Sequence, residues 1–354
     1  MKILDKYIAK QIILTILVVA LALLGFDLFF HLVHELKVVG KGQYSLPIAL
    51  GFLALTMPTR LYMMFPWSAL IGSLISLGVL ANHSELVVMR TAGISVLRIT
   101  WAVLKAALIL LIFVVFLGEG IAPMTERWAQ AKRTFALSGG QTIETAFGVW
   151  VRQGQEFIHI QTVRANGELQ GVTRYQFDNN RKLKKAIFAN KAVPDEDQWR
   201  LEQVKGTAFS EKGTQVFQEE TQIIPHLLEP EILQTAAVKH PERLSLLALW
   251  RTIHHRLKNE LNAENYELAF WSKIFQPIVI LMMVFLAVPF VFGPLRSVSV
   301  GSKALVGIFV AFTFHTLNNL FAPLAIVYQL PPILAVLLPI VVFSGLGFWM
   351  LRRL

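Results

Sequence analysis

The chain has 354 residues, 55% of them hydrophobic and 16% charged, with a mean hydropathy of +0.54. A soluble chain of this size carries about a quarter charged residues, so these proportions exclude a purely soluble protein and imply an integral membrane protein with a soluble part. The net charge of +10 suits span orientation or anionic lipid better than nucleic acid, and the absence of cysteine excludes disulfides, thiolate nucleophiles and cysteine-ligated metals.

The N-terminus, MKILDKYIAKQIILTILVVALALLGF, places lysines before an apolar run as a signal sequence does. The run is too long and no small-residue cleavage site follows, so it reads as a retained span. A helix needs about 20 apolar residues to cross the hydrocarbon core, and six stretches qualify: 12–30, 61–81, 97–117, 269–292, 304–321 and 331–351. A shorter apolar stretch, 46–57, is set off by Pro58 and Arg60 and reads as an interfacial segment or a kinked extension. Lys2, Lys6, Lys10, Arg90, Arg98, Arg296, Lys303, Arg352 and Arg353 then all fall on one side, which the positive-inside rule makes cytoplasmic. The expected topology has both termini inside and residues 119–268 outside.

That insertion opens with EGIAPMTERWAQAKRTFALSGG, where Trp128, Ala131 and Phe135 recur at helical spacing until Gly139-Gly140. Six runs follow in which Val, Ile, Phe, Tyr and Trp alternate with polar residues: FGVWVRQG, EFIHIQTVRA, ELQGVTRYQFDNN, KKAIFANKAV, QWRLEQVKGTAF and TQVFQEETQII. Such runs read as half-buried antiparallel strands, giving a sandwich or an open jelly roll. Residues 245–267 read as one polar helix returning to the membrane. The expected fold is an α-helical membrane protein with six transmembrane helices and a periplasmic all-β, jellyroll-like domain between helices 3 and 4. Its divisions are 1–118, 119–268 and 269–354.

Catalytic signatures are missing. HELKV at 34–38 lacks the second His of H-E-x-x-H, the adjacent His254-His255 cannot share a helix face, and no P-loop or G-x-S-x-G occurs. Neither a metal site nor a catalytic residue is expected. No ionisable pair is expected buried in the spans as a proton relay would require; Asp27, Glu119 and His315 are the candidates in or near them, and Asp27 is read as facing a partner or water.

The loop HSELVVMRTAGIS at 83–95 is unusual in carrying consecutive apolar residues between two spans. Ser84 is placed to cap a short helix, with Val87 and Val88 inside it and Gly93 stopping it. That helix would present Leu86, Met89 and Arg90 beside Glu85. It either lies on lipid or couples the spans to a separate ATPase subunit. The acid favours a protein partner, since lipid-facing helices carry mostly basic residues.

LDKYIAK at 4–10, SELVVMRTAG at 84–93, WSKIFQP at 271–277 and FGPLRS at 292–297 resemble the LptF/LptG family of lipopolysaccharide export permeases, over essentially the whole chain. The last two motifs resemble one of the family's two branches rather than the other. The resemblance implies a multi-pass bacterial inner-membrane subunit that binds no cofactor of its own, ATP and Mg being held by a cytoplasmic LptB-type ATPase dimer. It also implies an LptF-type permease, an LptC-type single-span subunit docking at the gate, and an LptA-type periplasmic bridge that receives lipopolysaccharide. Glu85 becomes the coupling acid on the ATPase, with Leu86, Met89, Arg90 and Gly93 shaping the knob.

Spans one and five would then flank a lateral gate. Phe26, Phe30, His31, Phe312 and Phe321 are candidates for its apolar cavity, and Lys37, Lys41, Arg60, Lys132 and Arg133 for a basic rim on lipid A phosphates. The bland reading makes those cations snorkelling or surface residues. His31 and Val38 stand where better-known family members carry lysine, and Gln130 where they carry arginine. Two other classes of function compete: a membrane-anchored periplasmic binding or assembly module, which has no use for SELVVMRTAG, and an intramembrane enzyme, which lacks its constellation.

Overall fold

The computed structural model describes residues 3–137, 143–153, 155–163, 168–178, 182–195, 198–210, 213–225, 241–259, 261–294 and 298–353. Among the described residues, six helical stretches are long and apolar enough to cross a membrane. Helix α1 (Ile3–Leu36) buries a narrow stripe of Ile8, Ile12, Ile16, Ala20 and Leu24, spaced four apart on one face. Helix α2 (Leu46–Asn82) is one continuous element with Pro58 and Pro66 inside it. Residues 46–57 are therefore the extension of a span, not an interfacial segment. Neighbouring helices can satisfy the carbonyls that proline leaves free in a membrane bundle.

After the short α3 (Glu85–Thr91), α4 (Val96–Phe116) runs through a π-helical turn at Leu117–Ile121 into α5 (Ala122–Leu137). The final three spans are α7 (Glu264–Phe292), α8 (Val300–Val327) and α9 (Pro332–Arg352). Helix α2 is the hub, packing against α1, α5, α7 and α8. A close approach makes this possible: a Cβ on Gly72 would meet the Ile16 backbone at 2.7 Å, so α1 and α2 touch through a residue without a side chain. Of the six spans, α1 and α8 are the least covered by the rest of the chain.

The insertion contains six strands: β1 (Ile143–Gln153), β2 (Glu156–Val163), β3 (Leu169–Phe177), β4 (Leu183–Asp195), β5 (Gln198–Ser210) and β6 (Gly213–Pro225). Among the described residues they form one antiparallel sheet in sequential order, the open alternative. One face gathers Ile158, Ile160, Val172, Ile187, Leu201 and Val204 into a separate apolar core. The return path is not a single helix. Helix α6 (Leu246–Lys258) stops at Asn259, and α7 begins only at Glu264, because Asn259 and Asn262 turn their amides to local backbone instead of continuing the ladder. The divisions at 118/119 and 268/269 thus fall inside continuous helical stretches, while Gly139-Gly140 and Arg296 lie outside the described residues.

Candidate functional site

The loop between α2 and α4 does form a helix, but its faces are the reverse of the expected ones. Leu86 and Met89, three apart, are 3% and 8% exposed and join the main core of the bundle, whereas Val87 and Val88 are 46% and 64% exposed. The apolar ridge offered outward is thus Val87-Val88, with Arg90 beside it. Helix α3 packs on α2, and the main core that takes Leu86 and Met89 decides which face turns in. Ser84 does not cap: it sits in the left-handed region at φ 59° and its side chain makes no capping bond. The chain enters α3 by a backbone reversal.

The exit is as the sequence suggests. Gly93 has φ +83°, its N–H donates to the Arg90 carbonyl, and the Ile94 N–H donates to the Met89 carbonyl, both at 3.0 Å. This paired closure satisfies carbonyls that the helix end would otherwise strand, and the left-handed step favours glycine. Ser95 then accepts from the Arg98 N–H at 3.3 Å and starts α4. The half-buried Glu85 carboxylate lies against the Tyr7 hydroxyl of α1 and 3.8 Å from His83 Nδ1. A helix of two turns is marginal alone; here hydrogen bonds at both ends and one buried face hold α3 against the bundle.

At the ends of the spans nearest the β domain, cations and acids pair. Arg60 Nη1 of α2 donates to Asp27 Oδ2 of α1 at 2.7 Å, Arg60 Nε donates to Thr56 Oγ1 at 3.2 Å, and His31 Nδ1 is 3.4 Å from Asp27 Oδ1. Asp27 therefore does not simply face water or a partner, because Arg60 of the adjacent helix pairs with it. A charge at this depth is costly unless paired, and the adjacent helix supplies the partner.

Glu35 accepts from the Tyr44 hydroxyl at 2.8 Å and from Arg133 Nε at 3.0 Å, while the Arg133 guanidinium sits 5.4 Å from the Phe52 ring centroid. Burial, then the hydrogen bond to Glu35, pushes the Tyr44 phenol up to about 12. On the π-helical turn, Glu119 accepts from Lys273 Nζ at 2.9 Å and from the Leu246 N–H at 2.8 Å, at the start of α6. One helical repeat on, Glu126 accepts from Arg243 Nη1 at 2.6 Å. Two acids seven residues apart therefore fasten the chain where it returns from the sheet.

Of the proposed basic rim, Lys37, Lys41 and Lys132 are exposed, and the α1–α2 connection is tied to α5 by the Gln43 N–H on the Ala136 carbonyl at 2.8 Å. Arg60 and Arg133 are already paired. Of the apolar set, Phe26 and Phe30 are exposed and meet edge to face at 4.9 Å, His31 is half-buried beside them, Phe312 is exposed on α8, and Phe321 packs against the main core. The structure gathers Phe26, Phe30, His31 and Arg60 in one place. Phe312 and Phe321 are carried by α8, which packs on α2 and α9. Sequence reasoning missed the partners of Asp27, Glu35 and Glu119. The available signal was an acid in or beside each apolar run with a cation at matching depth in another.

The family model for the lipopolysaccharide export system permease LptF/LptG matches residues 6–353. The chain belongs to the LptF/LptG family. Among similar proteins is the lipopolysaccharide export system permease protein LptG of Escherichia coli K12, 35% identical over 99% of this chain and 98% of that protein. LptG of Haemophilus influenzae Rd is likewise 35% identical, again over 99% and 98%. These relatives are LptG proteins, the branch that WSKIFQP and FGPLRS suggest. An LptF/LptG chain with six membrane-length helices and an inserted sheet matches the fold class read from the sequence.

Proposed function

We propose that this chain is a non-catalytic permease subunit of an ABC-type exporter that draws lipopolysaccharide from the inner membrane and passes it to a periplasmic bridge. The observation that carries the reading is α3. Its inner face is locked into the bundle by Leu86 and Met89, and its outer face offers Val87, Val88 and Arg90 beside Glu85. An anchor helix lying on lipid needs no acid at that point and no rigid link to the spans. A knob fixed at both ends transmits force. In this reading α3 faces the cytoplasm, an LptB-type ATPase dimer binding ATP and Mg grips it, and the sparsely covered α1 and α8 flank the gate toward an LptF-type partner and an LptC-type span. The β domain faces the periplasm and leads toward an LptA-type bridge.

Co-expression with candidate ATPase and permease partners tests this directly. Wild type should retain the ATPase through purification and show lipopolysaccharide-dependent hydrolysis. Glu85→Lys and Val88→Asp should each lose the subunit or the coupled transport, while keeping the thermal stability of the permease. Unimpaired assembly and transport in both variants would reduce α3 to an interfacial helix and remove the coupling assignment.

A further inference from the structure

The Asp27–Arg60 pair is more than a neutralised charge. It is a single-contact bridge: only Nη1 of the guanidinium reaches the carboxylate, at 2.7 Å, and Nε is spent on Thr56. Arginine has five N–H donors, so part of the fork remains for another acceptor. Neither partner is sealed in, with side chains 14% and 23% exposed. On the same helix, within one turn of Asp27, stand the exposed Phe26, Phe29 and Phe30, whose rings contact one another edge to face. A partly exposed cation beside an exposed aromatic surface at a span's end is the chemistry of an amphiphile carrying phosphate next to acyl chains. The acid, however, opposes any anion that approaches.

We propose that Asp27 is a resident counter-ion, which Arg60 exchanges for a phosphate of the transported amphiphile, and that this exchange discriminates between lipids. The inference rests on the export reading above and assigns Asp27 a specificity role within it. A phosphate monoester presents several oxygens and more negative charge, and it engages the guanidinium bidentately, which a singly bonded carboxylate does not match. A zwitterionic phospholipid offers one diester charge already countered by its own amine, and it fails to displace Asp27. After exchange the carboxylate is left 3.4 Å from His31 Nδ1, which also lies 3.1 Å from the Asp27 backbone carbonyl. Without Asp27, Arg60 would accept either lipid; with it, the ordinary membrane lipid is refused at the cost of weaker binding to the correct one. Specificity gained from a repulsive group has this form.

The test uses the full chain, co-expressed with its partner subunits and reconstituted in nanodiscs, with labelled lipopolysaccharide and phosphatidylethanolamine as probes. Asp27→Asn should bind lipopolysaccharide about tenfold more tightly, equivalent to ~1.4 kcal/mol, and should lose most of its preference over phosphatidylethanolamine. Arg60→Gln should lose binding, and adding Asp27→Asn to it should change nothing further. Asp27→Ser keeps an uncharged acceptor for Arg60 and gives the same readout where the amide folds poorly. If wild type binds lipopolysaccharide and both Asp27 variants bind both probes as wild type does, the pair is structural and the inference is overturned. A wild type that binds neither probe overturns the export reading, and the inference with it.

Discussion

Helix α3 and the β-domain ends of α1, α2 and α5 handle charge in opposite ways. At α3 the apolar side chains Leu86 and Met89 turn into the bundle, while Arg90 is left exposed and Glu85 partly open. At the other end, Asp27, Glu35, Glu119 and Glu126 each take a cation: Arg60, Arg133, Lys273 and Arg243. In the proposed reading, the surface that another protein grips keeps its charges available. A surface that joins spans to an inserted domain uses them internally, since depth in the membrane makes an unpaired charge costly. The same residue types therefore mean different things at the two ends.

The largest effect expected from this contrast is at Lys273, whose side chain is almost fully covered. Lys273→Met leaves Glu119 without its cation and should destabilise the chain by about 3–5 kcal/mol, the usual cost of breaking a buried pair from one side. Thermal unfolding in detergent would show it. Adding Glu119→Gln should recover most of the loss, because the amide oxygen can still accept from the Leu246 N–H. Failure of the double variant to recover would mean that the pair contributes by packing rather than by charge.

These two ends also differ in how far the sequence reveals them. Spans were legible because apolar length is a one-dimensional signal, and strands because alternation marks which residues share a face. Position 58 was misleading: proline suggests a break, yet α2 passes through it as one helix. Pairings were not legible, because helical period tells which way Asp27 points but not that Arg60, 33 residues away in sequence, lies opposite. At α3 the run Leu86-Val87-Val88-Met89 has apolar residues on every side. Only packing against the main core decides that Leu86 and Met89 go inward. The family motif located the site, and the packing turned it over.

That reversal gives a second, smaller pair of effects. Leu86→Ala removes a side chain from the core and should cost about 2 kcal/mol, the low end for such truncations. Val88→Ala, on the exposed face, should stay within about 0.5 kcal/mol while weakening capture of an ATPase partner. Equal destabilisation by the two would mean that α3 has no preferred inward face, and the contrast with the paired end of the spans would weaken.

The smallest effect is the most local. Gly93 holds a left-handed step at φ +83°, and a Cβ there would meet nothing within 4 Å, so the cost of substitution is backbone strain alone. Gly93→Ala should lose about 1 kcal/mol and speed hydrogen exchange at Gly93 and Ile94, whose N–H groups close the helix. Gly93→Asn should lose clearly less, because asparagine tolerates the left-handed region. Both leave the outer face of α3 chemically unchanged. A fall in ATPase coupling that is deep with alanine and shallow with asparagine would therefore show that the partner reads the rigidity of this helix as well as its side chains. Identical coupling in both would leave the side chains of Glu85, Val87, Val88 and Arg90 as the whole of the contact.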